Sequence, residues 1–135
     1  MAGLTDLEVM LRALEPVVRD GEYVYVCVSE EEARSLPGEA TVLETEGTSV
    51  VLRRQDADAA GLAYDFVAGW ITLSVHSALE AVGLTAAISA ALGQAGISCN
   101  VLAGFHHDHL LVTIGRLDEA VQVLRDLAAR TARQR

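Results

Sequence analysis

The stretch WITLSVHSALEAVGLTAAISAALGQAGISCNVLAGFHHDHLLVTIG, residues 70–115, decides the fold because three hydrophobic patterns follow one another in it. It starts with a run that is typical of a buried strand. Apolar residues then recur at helical spacing from Ala81 to Ala95, and Gly96 stands where a glycine often ends a helix. Two further apolar runs, residues 97–105 and 110–115, flank a polar tip and predict a hairpin.

A second amphipathic pattern, residues 116–130, predicts a final helix. The order strand, helix, strand, strand, helix is a ferredoxin-like unit that lacks its last strand. Residues 23–28, YVYVCV, are aromatic and β-branched and predict a strand buried on both faces, which could supply the missing one. We therefore predict an α/β (α+β) fold of two half-sized units, packed together, that share or exchange strands.

The N-terminal half reads as a smaller unit of the same kind. We expect the units to span residues 1–66 and 67–135. The junction between them carries no Pro/Ser-rich stretch and no charge block, so we expect no linker there. The predicted elements are a helix whose apolar face reaches Val18 (5–18), the strand at 23–28, a polar connection (29–39), a hairpin turning near Gly47 (40–54), a short helix (55–62) and a strand (65–76).

Composition excludes several classes of function. Ten basic against nineteen acidic residues give a net charge of −9, which argues against a nucleic-acid partner. All ten basic residues are arginine, so lysine Schiff-base chemistry and a lysine-bearing phosphate loop are excluded. The N-terminus does not read as a secretory signal and no apolar run reaches the roughly 18 residues of a membrane helix, so a cytoplasmic protein without a membrane partner is expected.

The four consecutive polar residues His106 to His109, HHDH, allow two interpretations. Imidazole and carboxylate suit zinc or nickel, but alternate strand residues point to opposite faces, and the remaining histidine, His76, is some thirty residues earlier. The other interpretation is a hairpin tip in which Asp108 accepts local backbone hydrogen bonds and His107 or His109 faces a neighbouring unit or ligand pocket. We expect the hairpin tip and no bound metal or other cofactor.

The segment VHSALEAVGLTA, residues 75–86, is a strand that runs into a helix. The start of a helix offers free N–H groups and a positive dipole to a carboxylate, and Gly83 would let a ligand or another backbone approach closely. Plain helix entry explains the same residues equally well. Local chemistry leaves the two interpretations open.

The signatures HSALEAVGLTA (76–86), ISCNVLAG (97–104) and HDH (107–109) resemble the C-terminal half of a bacterial family of small tandem ACT-domain proteins. The segment LETEGTSVVLRRQDADAAGL (43–62) resembles its N-terminal half. The resemblance implies paired ferredoxin-like βαββαβ modules, which in relatives bind amino acids and regulate metabolic enzymes.

The resemblance also implies where a ligand would bind, between the first loop of a module and a facing strand. Carried onto this sequence, that loop runs from Ser77 to Thr85 and the strand holds Asn100, Val101 and Ala103. The usual Asp-x-Pro-Gly is absent there, which leaves the ligand undefined. The residues of the C-terminal half in the predicted set are His76, Ser77, Val82, Gly83, Leu84, Thr85, Asn100, Val101, Ala103, His107 and Asp108.

In the N-terminal half, Glu44 and Glu46 are two residues apart and would share one strand face, where they could receive an α-ammonium group. A solvated strand edge explains them as well. Together these observations predict a non-catalytic amino-acid-binding regulatory protein, a homodimer, with a free amino acid as ligand. The alternatives are a ligand-free module that docks on a metabolic enzyme and a metal-binding protein that uses the histidine cluster.

Overall fold

The computed structural model describes residues 6–75 and 82–133, which form one antiparallel sheet with helices on one face. The strands are β1 (Pro16–Val28), β2 (Gly38–Glu44), β3 (Gly47–Arg53), β4 (Val67–Leu73), β5 (Asn100–Ala103) and β6 (Asp108–Thr113). The helices are α1 (Asp6–Arg12), α2 (Glu30–Arg34), α3 (Arg54–Ala59), α4 (Leu84–Gln94) and α5 (Leu117–Arg133), with a 3₁₀ turn at Ile114–Arg116. The strand order is β2-β3-β1-β4-β6-β5.

The two units share strands, as predicted, because β1 is long enough to serve both. Its second half pairs with β3, from Tyr23 opposite Arg53 to Val28 opposite Thr48. Its first half pairs with β4, from Pro16 opposite Leu73 onward, with a bulge after Arg19. The C-terminal unit thus takes its missing strand mainly from the segment ahead of YVYVCV, and the start of β4 completes the N-terminal unit.

The first helix is shorter than predicted. It ends at Arg12, and Val18, which was expected on its apolar face, lies in β1. Proline has no N–H to donate inside a helix, and it drives the residue before it toward extended conformations. Pro16 therefore ends the helical pattern and begins the strand.

The connection at residues 29–39 holds a helix that the pattern analysis missed. The Ser29 hydroxyl accepts from the Glu32 N–H, and the Glu32 carboxylate accepts from the Ser29 N–H, which completes a capping box. The spacing Ser-x-x-Glu signals such a start. The five-residue α2 has too few apolar residues to show helical periodicity.

Cores of very different size lie under the helices of the two units. In the C-terminal unit α1, α4 and α5 cover Ile71, Leu73, Leu110 and Val112. In the N-terminal unit α2 and α3 cover a smaller cluster made of Val24, Val26, Val50, Leu52 and Ala57. All five helices lie on the same face of the sheet, so no described helix covers the opposite face, where Tyr23, Val51, Ala68, Trp70 and Leu111 pack together.

None of the described helices is both long and apolar enough to cross a membrane.

Candidate functional site

The start of α4 holds the central part of the predicted site. Gly83 is the N-cap residue, with φ +103°, and no side chain in the described part of the chain caps the first turn. Val82 is 87% exposed, Thr85 is exposed, and Leu84 is buried in the core. The N–H groups of this turn can therefore meet a carboxylate. His76 and Ser77 lie outside the described residues.

The space beside Gly83 is occupied by the chain itself. A Cβ at this position would lie 3.0 Å from Cδ2 of Leu7, which belongs to α1. The close approach that this glycine allows is thus made by a helix of the same chain, and a ligand would have to come to the N–H groups from another side.

The β5–β6 turn lies at the same end of the sheet as the end of β4. Ala103 pairs with Asp108, and His109 pairs with Thr72 of β4. The Gly104 N–H donates to the His107 carbonyl at 2.9 Å and closes the turn. The predicted hairpin tip is present, but backbone atoms close it, while Asp108 is already the first residue of β6.

Asn100 and Val101 point to opposite faces of β5, because side chains alternate along a strand. The Asn100 side-chain amide donates to the Leu111 carbonyl at 3.3 Å, so it is engaged within the sheet. Val101 packs, partly buried, against the C-terminal core. Neither side chain faces the start of α4 as an unoccupied ligand contact.

Glu44 and Glu46 do not share a strand face, contrary to the prediction. Glu44 is the last residue of β2 and accepts from the Ser49 hydroxyl, whereas Glu46 lies in the turn before Gly47. That turn stands near the Val28 end of β1. At the other end Pro16 pairs with Leu73, the last residue of β4, and Gly83 lies beside Leu7 of α1, the helix that precedes Pro16. The two ends of β1 are about ten strand rises apart once the bulge is discounted, which is roughly 30 Å. These carboxylates and Gly83 therefore cannot line one pocket within a chain.

A cluster that the sequence analysis missed lies on the uncovered face of the sheet, where β1, β4 and β6 meet. The Trp70 indole N–H lies 3.3 Å from both the Thr72 hydroxyl and His109 Nδ1, and the hydroxyl is 3.0 Å from Nδ1. The Arg19 guanidinium lies over the Trp70 ring, 4.0 Å from a ring centroid, and pairs with Glu39 at 2.6 Å. The alternation of side chains along β4 places Trp70 and Thr72 on one face. His109 reaches them only because β6 pairs with β4 in a register that sets it opposite Thr72.

This cluster favours neutral His109. The indole N–H is a donor only, so Nδ1 accepts and the ring proton lies on Nε2. Burial lowers the pKa of His109, and the nearby positive charge of Arg19 lowers it further. The cluster is therefore a partly buried hydrogen-bonded unit on the uncovered face, and Arg19 and Glu39 connect it to the N-terminal half.

The histidine run does not assemble a metal centre in the residues that the structure describes. The Phe105 and His106 rings meet edge to face, with centroids 5.0 Å apart, on the exposed turn. Within the described ranges, no three His, Cys, Asp or Glu side chains converge as metal ligands would.

Comparison with known proteins agrees with the architecture. Residues 2–69 and 65–126 each match a model of the ACT domain, and the two matches overlap at the start of β4. The boundary between residues 66 and 67 stays a prediction. A search of curated proteins finds no match.

Three solved structures illustrate the likeness. A Vibrio cholerae protein of unknown function, described as a possible transport protein, is 41% identical over 90% of this chain and 95% of its own, with a TM-score of 0.83. The regulatory subunit of aspartate kinase from Thermus flavus is 5% identical over 84% of this chain and 96% of its own (TM-score 0.61). A putative regulatory domain of aspartate kinase from Porphyromonas gingivalis is 15% identical over 85% and 96% (TM-score 0.58).

The two aspartate kinase regulatory structures have low sequence identity to this chain, so their likeness establishes the fold alone. The two ACT-domain matches, in contrast, span most of the sequence. The chain belongs to the ACT-domain family and carries two ACT units in tandem.

Proposed function

We propose that this protein is a non-catalytic regulator that binds a free amino acid at the start of α4. ACT domains are regulatory rather than catalytic modules, and the chain carries two. The observation that carries the binding site is the first turn of α4, which no described side chain caps, and the sharing of β1 and β4 between the units supports a regulatory role. Because each unit contributes a strand to the other, a ligand that orders one unit would also stabilise the other.

The start of α4 supports binding of a carboxylate. Its first-turn N–H groups are left without a side-chain cap by the described residues, and the helix dipole favours negative charge there. Asp108, at the same end of the sheet, offers a carboxylate to an α-ammonium group in place of Glu44 and Glu46.

We also propose that the protein is a homodimer. Strands β2 and β5 are the edges of the sheet, and an edge strand can pair with a second copy. Val42 and Leu43 of β2 are 52% and 69% exposed, an apolar surface that pairing would cover.

The second candidate function is docking on a metabolic enzyme without a small ligand. The uncovered sheet face favours it, because Val17 and Val42 are exposed there beside partly buried Tyr25 and Leu102.

Thermal unfolding with each of the twenty amino acids, on wild type and on Thr85→Asp, tests the proposal. A true ligand at a hundred times its Kd should stabilise wild type by about 2.7 kcal/mol, several degrees in Tm. An aspartate in the first turn should stabilise α4 by about 0.3–1 kcal/mol and repel the ligand's carboxylate. Thr85→Asn, of similar size but uncharged, should keep the ligand-induced shift.

Two outcomes would count against the proposal. If no amino acid raises the Tm of wild type, the docking function is favoured. If Thr85→Asp keeps the full shift, the ligand does not bind at the start of α4.

A further inference from the structure

A charged cavity of about 250 Å³ opens in the N-terminal unit, and no residue of α4 lines it. It lies between the bulge of β1 and the first turns of α3, and one side is open to solvent. Its lining residues are Gly21, Glu22, Arg53, Arg54, Gln55 and Asp58.

Glycine at the bulge makes room for one wall of this cavity. Gly21 has φ +99°, a conformation that L side chains rarely adopt. A Cβ there would lie 2.5 Å from Nη1 of Arg53. The missing side chain lets this guanidinium lie against the backbone, where it donates to the Asp20 carbonyl at 3.3 Å.

The opposite wall is held in place by a chain of polar contacts. Arg54 pairs with Glu22 at 2.9 Å and donates to the Tyr64 hydroxyl at 2.8 Å. That hydroxyl donates to Asp58 at 2.8 Å. Both residues of the Arg54–Glu22 pair are therefore neutralised, and the wall they form is positioned before any ligand arrives.

Two charges at the cavity remain unmatched. Arg53 contacts a carbonyl and the Tyr23 ring but, within the described residues, pairs with no carboxylate, although the chain carries a net charge of −9. Asp58 accepts from a neutral hydroxyl, and no described cation pairs with it. One cation and one anion thus line the same small space, and neither has a partner of opposite charge among the described residues.

We propose that this cavity binds a small zwitterion, a free amino acid, whose carboxylate pairs with Arg53 and whose ammonium pairs with Asp58. Arg53 is the last residue of β3 and Asp58 lies in α3, so two different elements bring the two charges to the same cavity.

This binding site goes beyond the proposed function, which needs only the start of α4. It would give each of the two units its own amino-acid site. The strands that the units share would then let occupancy of one site change the affinity of the other.

The test is a titration with each of the twenty amino acids, followed by the backbone NMR signals of the cavity. The amides of Gly21 and Gln55 report on the cavity, and those of Leu84 and Thr85 report on the start of α4. Each amino acid that binds is repeated as its N-acetyl and its carboxamide derivative, which remove the ammonium and the carboxylate charge respectively. Binding in the cavity should shift the Gly21 and Gln55 signals, and both derivatives should lose it.

The main variant is Asp58→Asn, which removes the charge but keeps an oxygen for the Tyr64 hydroxyl. It should weaken binding in the cavity roughly tenfold to a hundredfold, as expected for loss of a charge-assisted hydrogen bond. Asp65→Asn, the same change on an exposed residue outside the cavity, should not. Arg53→Gln should weaken binding in the cavity about as much as Asp58→Asn does. Its control is Arg34→Gln, the same change at an exposed arginine outside the cavity, which should leave binding unchanged.

Several outcomes would overturn the cavity site. These are unmoved Gly21 and Gln55 signals with all twenty amino acids, an N-acetyl derivative that binds as well as its parent, and equal losses in Asp58→Asn and Asp65→Asn. If amino acids shift only the Leu84 and Thr85 signals, the cavity site is wrong while the proposed function stands. If they shift only Gly21 and Gln55, the site at α4 is wrong and the cavity site stands.

Discussion

The two units have the same architecture but are stabilised differently. Among the residues that the structure describes, the C-terminal core contains thirteen buried residues beneath helices of eleven and seventeen residues, with α1 packed beside them. The N-terminal core contains five described buried residues beneath helices of five and six residues. Helices this short do not form alone in water, so α2 and α3 both depend on packing against the sheet, and α2 depends also on its capping box.

The two units of the same fold are therefore held together by different kinds of contact. Apolar packing dominates the C-terminal unit, whereas one capping box, ion pairs and tyrosine hydrogen bonds hold the surface of the N-terminal unit. A small core leaves more of the N-terminal surface to charged groups, and the charged cavity lies there. The shared strands β1 and β4 make the weaker unit depend on the stronger one.

The largest expected effect tests that dependence with one truncation in each core, Leu52→Ala and Leu110→Ala. Both side chains are at most 1% exposed, so each change should cost about 2–5 kcal/mol. Because the units share strands, unfolding should remain one transition when followed by Trp70 fluorescence and by far-UV circular dichroism. Leu43→Ala, at an exposed position, should change stability by less than about 0.5 kcal/mol. Separate transitions for the two probes would show that the units unfold independently.

An intermediate effect compares two glycines of the C-terminal unit, Gly83→Ala and Gly93→Ala. Alanine at Gly83 must adopt positive φ and push Leu7 aside, which should cost about 1–2 kcal/mol or slightly more. Gly93 lies in α4 with open space around its Cβ position, so alanine there should stabilise by up to about 1 kcal/mol. Urea unfolding measures both. Equal effects of the two changes would mean that Leu7 does not pack on the start of α4. Gly83→Val should cost more than Gly83→Ala, because the larger side chain meets the same Leu7.

The smallest effect concerns the junction between the units, where His109 meets Trp70 and Thr72. The lowered pKa of His109 means that the unfolded chain binds the proton more readily than the folded one. Its contribution to stability should thus be fully present above pH about 6.5 and decline as the pH falls below that value. The effect is modest because the ring is partly exposed to solvent. Unfolding of wild type and His109→Gln at pH about 8 and about 5.5 measures it, and an identical pH dependence in both would contradict the assignment.

Long amphipathic segments were predicted well. The patterns of α4 and α5 and the hairpin of β2 and β3 appear where the sequence placed them, and Gly96, with φ +74°, follows the end of α4 as expected. Each of these elements is governed by neighbours in the sequence, through helical or alternating periodicity. The missing last strand of the C-terminal unit was also inferred correctly, since an incomplete unit must be completed by another segment.

The sites were predicted less well, because they depend on contacts between distant segments. Glu44 and Glu46 satisfy the two-residue spacing of a strand, but the turn begins between them. Gly83 looked open to a ligand until α1 placed Leu7 beside it. His109 and Trp70 are 39 residues apart, and no local pattern links them.

Hydrophobic periodicity and glycine placement, read in the sequence alone, therefore establish most of the elements and the need for a shared strand. The family resemblance comes from the signature segments instead. Which segment of β1 is shared, which face of the sheet stays uncovered and which charges meet at the cavity were decided only by the tertiary structure. The physical reason is that strand register and helix docking are set by side-chain packing over the whole sheet, and a shift of one residue turns each side chain to the other face.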